Sequence, residues 1–168
     1  GYAPDEWDAF GSWARGRGYE MQTLIASGLV KRKEDADGTP GQRSYDRFRD
    51  RIMFPICNDL GEVIAFSGRA LKEKEGVAKY LNSPETPVFR KGHELYGLHE
   101  ARDAIRKRGR AIVAEGYLDV IRLAQAGFAE SVAALGTAVT GTHVSALFKV
   151  ADHVIFAFDG DAAGRKAA

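Results

Sequence analysis

An α/β fold, built as a parallel sheet with covering helices and preceded by a smaller α+β subdomain with short antiparallel strands, is what this sequence predicts. Three observations carry that expectation. From residue 110 onward short apolar runs alternate with segments of helical periodicity, the pattern of strands joined by crossover helices. Two of those runs, Ala111-Ile112-Val113-Ala114 and Val154-Ile155-Phe156-Ala157-Phe158, stop at acids beside a glycine, Glu115-Gly116 and Asp159-Gly160-Asp161. Before residue 92 the alternation is missing, and two apolar runs instead flank the turn residues Asn58-Asp59-Leu60-Gly61.

The elements follow in order. Pro4, Asp5 and Glu6 suit a helix start, and Trp7, Phe10 and Ala14 then fall on one helical face, read as core. A second short helix carries Met21, Leu24 and Ile25, with Gly28 as its left-handed stop. Charge and the residues Gly38, Pro40 and Gly41 erase periodicity between Lys31 and Arg43, which leaves a surface loop or an extended hairpin. Ile52 to Ile56 and Glu62 to Phe66 are antiparallel strands around the Asn58 turn, and Pro55 marks the first as an edge strand. Lys72 to Ala78 reads as a mobile loop, and Lys79 to Gly92 as irregular backbone anchored by Tyr80, Leu81, Val88 and Phe89.

A connecting helix over 93–109 bears Leu95, Leu98, Ala101, Ala104 and Ile105 and ends in a cationic turn at Gly109. Strand 111–114, helix 118–126, strand 131–135, helix 142–150, strand 154–158 and a helix beginning near Ala162 complete the pattern. The domains expected are therefore residues 1–92, the linking helix 93–109, and an incomplete sheet domain over 110–168. A further strand is expected beyond the last residue.

The 168 residues suffice for real cores, and 45% apolar with 28% charged residues is ordinary for a globular chain. A net charge of +1 conceals basic clusters at Arg43, Arg47, Arg49 and Arg51 and from Arg102 to Arg110. Such patches suit a polyanion, although Asp46 and Asp50 dilute the first, which fits a solvated face equally well. Cys57 is the one cysteine, so an internal disulfide and a thiolate-rich zinc site are excluded within these residues. His93, His99, His143 and His153 lack metal-ligand spacing and are read as structural or surface residues. With neither a membrane-spanning run nor a signal-peptide pattern, the expected setting is cytoplasmic.

The acids carry the chemistry. Ligands of open parallel sheets bind beyond the carboxyl ends of the strands, so Glu115 and Asp159 should open into one pocket. Carboxylates held that close repel unless a cation lies between them, and a pair of divalent metal ions suggests phosphoryl chemistry. Asp159 and Asp161, at alternate positions, can reach one ion; Asp161 can equally be a helix N-cap before Ala162. Asp119, four residues after Glu115, returns to the same side on one helical turn, or serves as a first-turn acid favoured by the helix dipole.

Taken together, Glu115-Gly116-Tyr117-Leu118-Asp119-Val120, Ala134-Leu135-Gly136-Thr137-Ala138 and Phe158-Asp159-Gly160-Asp161-Ala162-Ala163-Gly164 resemble a TOPRIM domain of the bacterial replicative primase type. Upstream, Arg47 to Ile56, Ser67-Gly68-Arg69 and Lys79 to Thr86 resemble the amino-terminal part of the same family's RNA polymerase domain. The resemblance implies primer synthesis: short RNAs made on a single-stranded DNA template from ribonucleoside triphosphates, with two Mg²⁺ or Mn²⁺ ions and no zinc within this fragment. It implies Glu115, Asp159 and Asp161 as catalytic acids, with Asp119 joining them as metal ligands. Arg49 and Arg51, alternating with Asp50 on the edge strand, are read from the residues themselves as facing a template backbone, and the resemblance adds Arg69, Lys79 and Lys91 as nucleotide contacts, with Tyr80 and Asn82 in the same shaped loop. It also implies the RNA primer as partner, a replicative helicase bound through regions absent here, and a place at the replication fork on the nucleoid. The family's further acidic cluster falls beyond Ala168, so weak or absent activity is expected of these residues alone.

Other functions fit the same residues. A TOPRIM nuclease or topoisomerase shares the acid pattern, and a phosphatase of the haloacid-dehalogenase type also uses Asp-x-Asp after a strand. That phosphatase places Thr or Val where Ala163 stands. A non-catalytic nucleic-acid-binding module, its acids only capping helices, is the remaining alternative.

Overall fold

The computed structural model describes residues 1–35, 39–73 and 75–160; the helix expected near Ala162 lies outside them. Two compact units form, one from Gly1–Pro55 and Ala65–Phe89, the other from Ile56–Ile64 and the chain from Arg90 onward.

In the first unit, β1 (Tyr2–Ala3) precedes α1 (Ala9–Arg15), α2 (Met21–Ala26), β2 (Val30–Glu34) and β3 (Pro40–Asp46). The ambiguous stretch after Lys31 is a hairpin, β2 and β3 pairing antiparallel with Val30 opposite Asp46. Its charged residues 31–34 face solvent, which is why periodicity was absent. Helix α1 begins at Ala9, five residues past Pro4, where the sequence signal set its start. The carboxylate of Asp46, arriving from β3, accepts from the N–H groups of Phe10 and Gly11 at 2.6 and 2.9 Å and so satisfies donors that every helix start leaves open. Trp7 consequently lies outside the helix and is 52% exposed, tilted against Tyr45 with centroids 5.0 Å apart. Phe10 and Ala14 do pack inward, with Leu24, Ile25 and Val30. Gly28 ends α2 at φ +72°, where a Cβ would stand 2.5 Å from Pro84 Cγ, so both backbone and space require glycine.

A four-stranded sheet runs in the order β1, β4 (Arg51–Cys57), β5 (Val63–Ala70), β6 (Tyr80–Asn82). β4 is therefore not the edge; β1 pairs with it at Arg51 and Ile52, Gly1 adds hydrogen bonds with Met53, and Pro55 lies past that short pairing. β6 was missed in a segment read as irregular. It pairs antiparallel with β5, and Phe89 is the buried anchor there, whereas Tyr80 and Val88 are exposed.

The second unit holds a three-stranded parallel sheet in the order β8 (Ser131–Ala133), β7 (Arg110–Ala114), β9 (His153–Ala157). Alternate residues of β7 point to opposite faces. Ala111 and Val113 join Leu95, Ala101 and Ile105 around α3 (Leu98–Arg108) and Leu147 of α5 (Gly141–Leu147); Ala114 meets Val120 of α4 (Tyr117–Gln125). Helices thus cover both faces, the reason β7 reads as a continuous apolar run. Helix α3 starts at Leu98, not His93, because Gly97 adopts φ +80° there. Truncating the fully buried Ile105 to Ala costs about 2–4 kcal/mol.

The turn at Asn58 packs in this unit. Asn58 Oδ1 accepts from the N–H groups of Leu60 and Glu62 at 3.0 Å each, and Arg102 pairs with Asp59 at 3.1 Å.

Candidate active site

Parallel pairing decides where the acids emerge. Ala114 of β7 lies opposite Ala157 of β9, and also opposite Ala133 of β8, so all three strands exit at one end of the sheet. Glu115 is the first residue past β7 and Asp159 the second past β9. They meet directly: the backbone N–H of Asp159 donates to Oε1 of Glu115 at 2.7 Å. Both residues are exposed, so neither carboxylate pays for burial. A carboxylate accepts at about four positions, so one N–H leaves Glu115 ample capacity for a cation.

Asp119 stands in the first turn of α4, whose N-cap is Gly116. A Cβ on Gly116 would lie 3.4 Å from Asp119 Oδ2, which shows that this carboxylate folds back over Gly116 at the strand-to-helix junction. β8 leads through the buried Ala134 and Leu135 to Gly136 at φ +74°, a sharp turn at the same end. Asp161 lies outside the described residues. Among the described residues no three His, Cys, Asp or Glu side chains stand together as a metal-holding group. Glu115, Asp119 and Asp159 fit a hard divalent cation in donor type, since all of their donors are carboxylate oxygens.

The remaining candidates fall as follows. In the first unit the register sets Arg69 opposite Tyr80 and Ser67 opposite Asn82, which puts these four on one face of the β5–β6 pair. The Ser67 hydroxyl donates to Asn82 Oδ1, and Arg47 donates to the Asn82 carbonyl at 2.8 Å. Arg69 and Lys79 are exposed, Lys79 pairing with Glu73 at 2.9 Å. A cleft of about 120 Å³ in this unit is lined by Asp5, Arg47, Arg49, Asp50, Arg51 and Lys72 among others. Arg49 stacks its guanidinium 4.6 Å over Trp7, and its buried Nη1 has no acceptor. Arg51 is buried and donates to the carbonyl of Ala78 at 2.8 Å, so it braces the chain leading to β6. Asp50 between them takes φ +50° and precedes the strand, which breaks the simple alternation read from sequence.

In the second unit Lys91 is half-buried and its carbonyl lies 3.0 Å from His143 Nε2. Sequence reasoning gave Thr140 no part and treated His143 only as structural or surface. The signal was there in the spacing Thr140-x-x-His143, a capping box with His in place of Glu or Gln. It also missed Glu130, fully buried before β8, whose two oxygens each accept from Arg108 Nη1 at 2.8 Å while Arg110 donates at 3.1 Å.

A parallel sheet whose central strand is covered on both faces, with acids at the exits of adjacent strands, is the architecture of a Toprim domain, and residues 109–168 match the family model of that description. Residues 1–102 match the model described as DNA primase catalytic core, N-terminal domain. The chain belongs to the bacterial DNA primase family.

It is 51% identical over 168 residues to a DNA primase of Neisseria meningitidis serogroup A, covering all of this chain and 27% of that protein. To the DNA primase of Escherichia coli K12 it is 45% identical, covering 28% of that protein. A crystallised DNA primase domain from Pseudomonas aeruginosa superposes with a TM-score of 0.84 at 48% identity, over 99% of this chain and 50% of that one. A DnaG primase catalytic domain bound to single-stranded DNA gives 0.84 at 45% identity, again over 99% and 50%. The chain thus spans roughly a quarter of these curated relatives' length.

Proposed function

We propose that this chain is the catalytic-core part of a DNA primase, joining ribonucleoside triphosphates into short RNA primers on a single-stranded DNA template. The observation that carries the reading is the contact between Glu115 and Asp159 at the exits of two adjacent parallel strands. A relative's catalytic domain bound to single-stranded DNA supports the template. The match of residues 1–102 to the primase core favours this reading over a nuclease, topoisomerase or phosphatase.

Glu115, Asp119, Asp159 and Asp161 are the residues that would hold two Mg²⁺ or Mn²⁺ ions. Such ions, when bound, neutralise charge on the attacking and leaving oxygens of an in-line displacement. The primer's 3′-oxygen attacks the α-phosphorus, pyrophosphate leaves, and Glu115 accepts the hydroxyl proton. Arg69, Lys79 and Lys91 oppose the triphosphate's charge, while Tyr80 and Asn82 shape the nucleotide-binding face. Arg49 meets a template phosphate, with Arg51 behind it as a brace. The helicase and replication-fork setting belong to the whole primase. Among the described residues no helix is long and apolar enough to cross a membrane.

The test is Glu115→Gln in the full-length primase, assayed for primer synthesis and for template binding. Synthesis should vanish while the affinity for single-stranded DNA stays, and Mn²⁺ titration should broaden NMR signals at Glu115 and Asp159. Undiminished synthesis by the Gln variant sinks the assignment.

A further inference from the structure

We propose that Thr140 and His143 are positioning residues for Lys91, fixing the backbone of the Lys91–Gly92 turn and with it the direction in which the Lys91 side chain departs toward the triphosphate. The proposal rests on the assignment of Lys91 to the nucleotide.

Three successive carbonyls of this turn have dedicated donors. That of Arg90 accepts from the N–H groups of His93 and Glu94 at 3.0 and 3.2 Å. That of Lys91 accepts from His143 Nε2 at 3.0 Å, and that of Gly92 from the Thr140 hydroxyl at 2.7 Å. The donors are themselves locked together. Thr140 Oγ1 accepts from the His143 backbone N–H, and the Thr140 N–H donates to His143 Nδ1, both at 3.2 Å. Because Nδ1 accepts, the imidazole proton sits on Nε2, the tautomer that the Lys91 carbonyl requires. His143 is fully buried, so the ring has one orientation.

A cap alone needs only the Thr140 hydroxyl accepting from the His143 N–H and the His143 ring accepting from the Thr140 N–H; here both groups also donate to consecutive carbonyls more than 45 residues upstream. Fixing both carbonyls sets the peptide planes on either side of Gly92, a residue otherwise free to rotate. A misplacement of about 1 Å in a charged contact is costly to a reaction built on position.

The experiment uses the full-length primase and reads KM for the ribonucleoside triphosphate separately from kcat. Thr140→Val should raise KM roughly 3–10-fold with kcat changed less than about twofold, and Thr140→Ser, which keeps the hydroxyl, should restore it. In a Lys91→Ala background Thr140→Val should add nothing, since its effect runs through the lysine. A raised KM in Lys91→Ala, multiplied again in full by Thr140→Val, overturns the proposal alone. An unmoved KM in Lys91→Ala removes the nucleotide assignment and the proposal with it. Should Thr140→Val not fold, His143→Gln, which keeps a donor for the Lys91 carbonyl, is compared with His143→Leu, which has none; equal KM values overturn the proposal.

Discussion

Glu115 accepts the backbone N–H of Asp159 at 2.7 Å, a contact spanning 44 residues of sequence. It follows from register. With Ala114 opposite Ala157, the chain leaving β7 and the chain leaving β9 cannot avoid each other, and the side chain of one satisfies the backbone of the other.

That bond separates two roles for Glu115. Glu115→Gln keeps an oxygen for the Asp159 N–H and should leave unfolding unchanged, whereas Glu115→Ala should cost about 0.5–1.5 kcal/mol. Both should reduce primer synthesis in the full-length primase by about 100-fold or more, since both remove the carboxylate. Denaturant unfolding beside a synthesis assay checks the pair. Equal stability losses would show that the bond in question is not what the glutamine preserves.

Glu130 predicts an acid-sensitive fold. Burial alone would raise its carboxyl, but hydrogen bonds from Arg108 and Arg110 outweigh this and hold it below its ordinary value. The unfolded chain then takes up the proton first as pH falls. The stabilisation is complete above about pH 4.3 and is lost as pH drops through the depressed folded value. Glu130→Ala should cost about 2–3 kcal/mol, between the surface and buried limits because both arginines are partly exposed. Melting curves at pH 7 and pH 3 check this, the variant's deficit shrinking at the lower pH.

The fold was legible where one period governed a segment and illegible where tertiary contact overrode it. β7, buried on both faces, announced itself as an unbroken apolar run, and Asn58 with Gly61 marked their turn. The Pro4-Asp5-Glu6 signal misplaced α1 because the donors at that helix start are satisfied by Asp46, far along the chain. β6 carries three residues and its partner strand lies elsewhere, so no local pattern could declare it. Of the candidate site, the meeting of the two strand-end acids was readable because neighbouring parallel strands exit at the same end of a sheet. Thr140 and His143 were not, since what matters about them is which distant carbonyls they touch.

His143 gives a second pH effect of the same sense at higher pH. Burial pushes its imidazole below its ordinary value, the carbonyls of Lys91 and Glu94 partly opposing this and the neighbouring His93 reinforcing it. The unfolded chain therefore binds the proton more readily, and stability falls as pH drops through about 6.5, levelling off below the folded value. His143→Gln removes the titrating group. Unfolding free energies between pH 8 and pH 5 should slope downward in the parent protein and less so in the variant.

Arg49 offers the sharpest test of template binding because it lines a cleft with Arg47, Arg51 and Lys72. The guanidinium rests on Trp7 at 4.6 Å and approaches Tyr45 at 5.3 Å, yet its buried Nη1 lacks an acceptor. A template phosphate would be neutralised in that cleft, and a cation that neutralises a phosphate on a single strand contributes about 0.7 to the slope of log affinity against log salt. Arg49→Ala in the full-length primase should weaken single-stranded DNA binding evenly across sequences and reduce that slope by roughly this amount. Fluorescence anisotropy across a salt series reads both. An unchanged slope with weakened binding would mean that Arg49 acts by holding Trp7 and Tyr45 in place, not by meeting the phosphate.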